Sequence, residues 1–300
     1  MMFVYLQKDL LMSFQIKILK AAHGDCIFIR GVFDDGIPRN ILIDGGPSKA
    51  YEYRRYKGEL LKELESIKAS EQVIDLLILT HVDDDHIGGL LHGFKNYGLL
   101  AQLTRKIWFN SGKLIFEYFD KEPDDSNLVS IGNISSNGDG YTSIRQGVTF
   151  ESYIEENNIW DRNLIIEGQE RIEFGAKFSF LSPTEGKLEK LLNKWESERP
   201  ESLTTSQNTD YSKTFDDLLA SDTFKEDKSV HNGSSIAFIF EYSDRRILLL
   251  GDAHDDVVVE SLKNRIESGE SNKFELVKLS HHLGLFHRCT YVASSDYNNS

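Results

Sequence analysis

Residues 79–89 of the 300-residue chain read LTHVDDDHIGG and hold two imidazoles and three carboxylates in one short run. His81 and Asp83 are two positions apart, so an extended backbone points both the same way. Asp85 and His86 follow where the chain turns into the next element, and they face a second point nearby. Imidazole with carboxylate is a donor set for Zn, and its carboxylate-rich version also suits Mn. An ordinary acidic run is a solvated loop. This one is framed by histidines, paired glycines and a preceding apolar stretch, which favours ligands.

The elements around it must hold those groups in place. Residues 74–79 are apolar on both faces, the pattern of a buried strand, and functional groups gather in the loops that follow such strands. Gly88 and Gly89 let a helix over 87–97 start close to that strand. Earlier strands are predicted over 14–19, 26–31 and 40–43, with a turn signal at Asp34-Asp35-Gly36-Ile37-Pro38. Leu60, Leu64 and Ile67 give 51–69 the spacing of an amphipathic helix. Further strands are expected over 106–109, 172–181 and 274–279, a hairpin over 235–250, and helices over 143–157 and 255–267. Strands at both ends with helices between them suggest two sheets covered by helices, although periodicity alone fits a doubly wound α/β sheet equally well.

The ordered motifs supply a resemblance. THxxxDHxGG after a buried strand resembles the metallo-β-lactamase fold superfamily, whose usual form is His-x-His-x-Asp-His. Asp83 stands here for the second His, and His-x-Asp-x-Asp-His is similar to the hydrolase domain of ComEC-type DNA-uptake proteins and their stand-alone relatives. His23-Gly24-Asp25 resembles an early turn of that group. NILIDGGP at 40–47 resembles its strand ending in Asp-x-Gly, LLLGD at 248–252 the strand that delivers a bridging Asp, and Ser280-His281-His282 its SHHGS element.

The resemblance spans about residues 14–284. It implies the metallo-β-lactamase fold: an αββα four-layer sandwich of two mixed β-sheets flanked by helices, here lacking its last C-terminal elements. It also implies a binuclear metal-dependent hydrolase with two divalent ions, Zn or Mn. By that carry-over His81 and Asp83 serve one metal, Asp85 and His86 the other, and Asp252 bridges them. His282 completes the second site, with His281 as the alternative, and His231 is a further candidate ligand of the first. Asp44 supports the site without binding metal. Asp85 orients water, Asn232 contacts substrate, and His23 is a catalytic candidate. Phosphodiester bonds in nucleic acid or a nucleotide are the expected target. Thioester, lactone or lactam hydrolysis, and a non-catalytic binding or regulatory module, are the competing expectations.

Composition narrows the setting. The chain has 34 Lys+Arg against 48 Asp+Glu, a net charge of −14, yet 40% of it is hydrophobic, too much for a disordered acidic chain. Only two cysteines, Cys26 and Cys289, point to a reducing, cytosolic compartment. No run approaches the ~18–20 apolar residues of a membrane span. The acidity counts against unaided tight binding of long nucleic acid and favours a small anionic substrate or a locally presented phosphodiester. Residues 1–11 are expected as an N-terminal extension and 12–284 as the hydrolase domain, with insertions about 111–145 and 185–230. An atypical tail over 285–300 completes the expectation, since Leu283-Gly284-Leu285-Phe286 replaces the Gly-Ser that follows the His pair in relatives. His92 and Trp108 read as structural residues, and His254 as a chance neighbour of Asp252.

Overall fold

Strand residues alternate between two apolar environments, and that alternation sets the layers. The computed structural model of the chain describes residues 2–9, 12–119, 143–197 and 228–280. The first half runs β1 (Met2–Asp9), β2 (Met12–Ile18), β3 (Ile27–Val32), β4 (Pro38–Ile43), α1 (Ser48–Tyr51), β5 (Glu52–Tyr53), β6 (Tyr56–Lys57) and α2 (Glu59–Ala69). It continues with β7 (Leu76–Ile78), α3 (Asp84–Phe94), α4 (Leu99–Leu103), β8 (Ile107–Trp108), α5 (Gly112–Tyr118) and α6 (Ser143–Glu156). The second half runs β9 (Glu170–Glu173), β10 (Ala176–Ser182), α7 (Glu185–Ser197), α8 (Val230–Gly233), β11 (Ala237–Tyr242), β12 (Arg245–Leu249), α9 (Asp255–Glu267) and β13 (Leu276–Lys278).

The first sheet has the order β1-β2-β3-β4-β7-β8 and the second β13-β12-β11-β10-β9. In the first, β1 to β4 pair antiparallel, whereas β4, β7 and β8 pair parallel with Ile43 opposite Ile78. In the second, only β12 and β13 are parallel, with Leu249 opposite Lys278. Both sheets are therefore mixed.

Ile16, Ile29, Ile41, Ile43, Ile78 and Trp108 of the first sheet meet Phe178, Phe180, Phe238, Phe240 and Leu249 of the second in one core. Trp108 meets Phe178 edge-on at 5.0 Å between centroids and Phe178 meets Phe240 at 5.2 Å. Such pairs add about 0.5–1.5 kcal/mol each beyond area burial. The residues between them in sequence face outward: Phe28, Leu42 and Leu77 pack under α2, α3, α6 and α7. Across the molecule, Ile239 and Leu248 pack under Val258 and Leu262 of α9. Helix, sheet, sheet and helix thus form a four-layer αββα sandwich.

Several elements depart from the expected bounds for visible reasons. The 51–69 helix is confined to Glu59–Ala69, because Arg54 and Arg55 adopt φ of 47° and 75° and turn residues 52–57 into a hairpin. The 172–181 strand is likewise two, reversing at Phe174 and Gly175, with φ of 56° and 85°. Within the expected 111–145 insertion, Gly112–Tyr118 is a helix capped by Ser111 Oγ, which accepts from the Leu114 N–H at 3.2 Å. Within the expected 185–230 insertion, Glu185–Ser197 is a helix that buries Leu188, Leu191, Leu192 and Trp195, the i, i+3, i+4, i+7 face. Residues 120–142 and 198–227 lie outside the described set. Met2–Asp9, expected as an extension, pairs with β2 as an edge strand, Val4 opposite Ile16. Among the described residues no helix is long and apolar enough to cross a membrane.

Candidate metal centre

The ends of β4, β7 and β12 open on one point. Asp44 follows β4 in the left-handed region, φ 55°, and is fully buried. Its Oδ1 accepts from the Thr80 backbone N–H at 2.8 Å, and its Oδ2 accepts from the Thr80 hydroxyl and from His86 Nδ1–H, each at 2.8 Å. Because the Thr80 hydroxyl gives its proton to Asp44, it accepts from His81 Nδ1–H at 3.0 Å. Two imidazoles are thereby fixed in the tautomer whose Nε2 carries a lone pair. Their rings lie 4.1 Å apart.

Both Nε2 atoms face Asp252, which follows β12. Asp252 Oδ2 is 3.3 Å from His86 Nε2 and 3.7 Å from His81 Nε2. Its other oxygen, Oδ1, accepts from the Ser280 hydroxyl at 3.1 Å, while its backbone N–H donates to Ser235 Oγ at 3.1 Å. One ligand atom from each of His81, His86 and Asp252 falls within 4.8 Å of the others.

A third imidazole repeats the arrangement. His231, buried on α8, donates from Nδ1 to Asp83 Oδ1 at 2.8 Å, and Asp83 Oδ2 lies 3.9 Å from His81 Nε2. Asp83 is the N-cap of α3 but makes no capping hydrogen bond with its side chain. Its carboxylate is turned to His231 and to the Ser143 hydroxyl, which donates at 2.6 Å. His81 Nε2 and His231 Nε2 are buried and make no hydrogen bond. A buried imidazole nitrogen left this way loses water without replacement, a cost that a cation at the same point offsets. The donor set therefore fits divalent metal.

Charge follows the same geometry. Burial and the neighbouring His86 charge push the His81 pKa down. Burial opposes protonation of His86 too, but Asp44 and Asp252 outweigh it and hold that imidazole well above its usual value. Burial also acts to raise the Asp83 carboxyl, yet the His231 hydrogen bond and the His81 and His231 charges hold it well below the usual carboxylate range.

Asp85 sits half-buried in the first turn of α3, outside the groups of ligand atoms that converge among the described residues. His23 is half-buried in the turn before β3, next to Gly24, whose backbone lies against the Asp85 carbonyl so closely that a Cβ there would overlap it. Asn232 is buried beside His231, its N–H directed at Ser229 Oγ at 3.4 Å. His281 and His282 lie outside the described residues, immediately after Ser280. His254 caps α9, with Nδ1 2.7 Å from Lys187 Nζ, and His92 packs near Tyr51 with centroids 6.5 Å apart.

The chain also places groups there that the motifs did not single out. Asp25, ion-paired with Lys278, forms a second convergent group with Asp44 and His86. Ser143 and Gln146 of α6 brace the ligand loop, Gln146 donating to Asp84 Oδ1 at 2.7 Å. Asp25 lay inside the HGD turn and was within reach of motif reading; Ser143 and Gln146 carried no signal.

Residues 22–156 match the sequence profile of the metallo-beta-lactamase superfamily, a stretch that contains Asp44, His81, Asp83, Asp85 and His86. Among solved structures, a motif mutant of a metallo-beta-lactamase from Cronobacter sakazakii aligns at 9% identity over 97% of this chain and 86% of that one, with a TM-score of 0.35. The hydrolase AbOPH of the beta lactamase superfamily aligns at 9% identity over 92% and 90%, TM-score 0.41. A beta-lactamase domain protein from Burkholderia ambifaria aligns at 10% identity over 96% and 75%, TM-score 0.41. No curated protein matches the chain at a significant level. The αββα layering, the converging histidines and carboxylates, and the match over residues 22–156 together support the metallo-β-lactamase superfamily, whose members are typically metal-dependent hydrolases.

Proposed function

We propose that this chain is a binuclear metal-dependent hydrolase of phosphodiester bonds in nucleic acid or a nucleotide. The observation that carries the reading is the convergence of buried imidazoles, each tied at Nδ1 by an oxygen, with His81 and His86 presenting Nε2 to Asp252. Asp83 in place of a second histidine makes the set carboxylate-rich, which supports phosphoryl chemistry and Zn or Mn. Two such ions supply a water of lowered pKa and stabilise charge developing on the phosphoryl group.

The protein's own groups prepare that chemistry. His81, Asp83 and His231 are assigned to one ion, Asp85, His86 and the His281–His282 pair to the other, and Asp252 to both. Asp44 and Thr80 hold the tautomers, and Ser280 holds Asp252 so that Oδ2 faces both imidazoles. Asp85 is assigned to orienting the attacking water, Asn232 to contacting substrate, and His23 remains a catalytic candidate. The Cys26 thiol is free and buried, and burial with the charges of Asp44 and Asp25 pushes its pKa well up, the setting of an inert thiol.

Metal analysis and a substrate panel test the reading. About two equivalents of Zn or Mn per chain are expected, with loss in His86→Ala, and bis-p-nitrophenyl phosphate is hydrolysed in preference to a thioester. Absence of bound metal sinks the hydrolase; thioester cleavage without phosphodiester cleavage sinks the substrate class.

A further inference from the structure

The hairpin of β5 and β6 is built against the grain of the chain. Its tip is Arg54-Arg55, with φ of 47° and 75°. Two successive left-handed residues make the turn that Asn-Gly ordinarily fills, and side chains with a Cβ are strained there. Tyr53 and Tyr56 pair directly across the two strands, so both rings stand on one face of the ribbon. They are 54% and 77% exposed, whereas most of the aromatic rings among the described residues are buried. Arg54 lies over the Tyr53 ring at 5.2 Å. Among the described residues neither tip guanidinium has an ion-pair partner, in a chain of net charge −14. Lys57, at the base, is paired with Glu65.

We propose that this hairpin is a docking tip for single-stranded nucleic acid, with Tyr53 and Tyr56 stacking bases and Arg54 and Arg55 meeting the flanking phosphates. Exposed aromatics interleaved with unpaired guanidinium groups fit that partner and no neutral one. Strain kept at a solvent-facing tip, where nothing in the fold requires arginine, is consistent with selection for binding.

Location ties the tip to the candidate centre. Glu52 follows Asp44 by eight residues, so even fully extended chain keeps the hairpin within about 30 Å of it. α1 lies between them, its Ser48 N–H against Gly88 of α3, the helix that carries Asp85 and His86. The hairpin base is closed by the Gly58 N–H donating to Tyr51 O at 2.7 Å. A short single strand held at the tip thereby brings a phosphodiester within reach of the centre. The acidic remainder of the surface keeps the interaction local. The inference rests on the phosphodiesterase reading for its purpose but is read by binding alone.

The test is fluorescence anisotropy of a dye-labelled oligothymidylate of about twelve nucleotides with the full chain, in EDTA to prevent cleavage. Tyr53→Ala and Tyr56→Ala should each weaken binding about tenfold or more. Arg54→Asn with Arg55→Gly should keep the hairpin and leave the melting temperature equal or higher. The same pair should lower the slope of log K against log salt by about 1.4, roughly 0.7 for each phosphate no longer neutralised. A duplex of the same length should bind more weakly than the single strand. Unchanged oligonucleotide binding in all these variants, or no binding by the wild type, overturns the proposal. So does hairpin-dependent binding confined to vesicles of phosphatidylcholine and phosphatidylserine. Hydrolysis of bis-p-nitrophenyl phosphate by the wild type separately tests the reading beneath it: no hydrolysis together with hairpin-dependent binding removes the enzyme and leaves the tip.

Discussion

Asp44→Asn is the sharpest probe of how the candidate centre is held. Asn tolerates the left-handed backbone at this position, φ 55°, so the turn itself is preserved. What changes is polarity. Asp44 only accepts, from the Thr80 N–H, the Thr80 hydroxyl and His86 Nδ1–H. An amide must present a donor at one of its two positions. With its oxygen kept on the Thr80 N–H, its NH2 faces His86 Nδ1, and the imidazole resolves the clash by moving its proton to Nε2. That nitrogen then faces Asp252 as a donor and no longer offers a lone pair. Loss of such an outer partner lowers metal affinity about 10–100-fold, roughly 1.4–2.8 kcal/mol. The assay is Zn titration against a competing chromophoric chelator at one pH, with thermal unfolding of the metal-free proteins alongside. Asp44→Ala is the comparator: it also strands the buried Thr80 N–H, at a cost of about 1–3 kcal/mol in stability. An Asp44→Asn protein that binds Zn within twofold of wild type would falsify the tautomer argument, whatever its melting temperature.

Two further outcomes follow from the same geometry. Gly24→Ala places a Cβ on the Asp85 carbonyl, so it should cost about 1–3 kcal/mol in stability and weaken metal binding without replacing a ligand, whereas Gly186→Ala, which faces open space, should do neither; denaturant midpoints and Zn titration of both decide it. Glu151 of α6 is buried, which raises its pKa against the opposing bonds from Ser111 and the Lys113 N–H. A carboxyl easier to protonate when folded contributes stability below its unfolded pKa and loses it as pH rises through the folded value. Glu151→Gln should therefore gain on wild type toward neutral pH and converge with it in acid. Urea midpoints showing a gap that is constant, or widest in acid, would contradict the assignment.

Local contiguity decided what could be read from sequence. His81, Asp83 and His86 stand in one run beside an apolar strand, so their gathering at one point was legible, whereas Asp85 lies outside the groups that converge among the described residues. Asp252 was legible through the strand before it. Asp25 was marked by the His23-Gly24-Asp25 turn, but its ion pair with Lys278, 253 residues away, was not. Ser143 and Gln146 were silent because a serine and a glutamine on an amphipathic helix look like any solvated face until the loop they brace is in view. The helix Glu185–Ser197 was legible in principle: Leu188, Leu191, Leu192 and Trp195 have core spacing, but six charged residues between Glu185 and Glu196 masked it. The hairpin hid for the opposite reason, since two left-handed arginines have no sequence signature and the Tyr-Arg pattern passed as the start of a helix.

The shared core between the sheets has a consequence for synthesis. The first sheet is complete once Trp108 has emerged, but its inner face, from Ile16 to Trp108, is covered only when β10, β11 and β12 arrive, ending at Leu249. That is roughly 140 residues later, or about 7–30 s at ribosomal rates of ~5–20 residues per second. For the first ~70 residues of that interval, until β10 brings Phe178 and Phe180 to Trp108, none of the second sheet's core-lining strands is there to cover the apolar face, and the cover is complete only with Leu249. A chaperone waiting at the exit tunnel therefore has a defined client: a half-molecule that already holds His81 and His86 and still lacks the Asp252 they face.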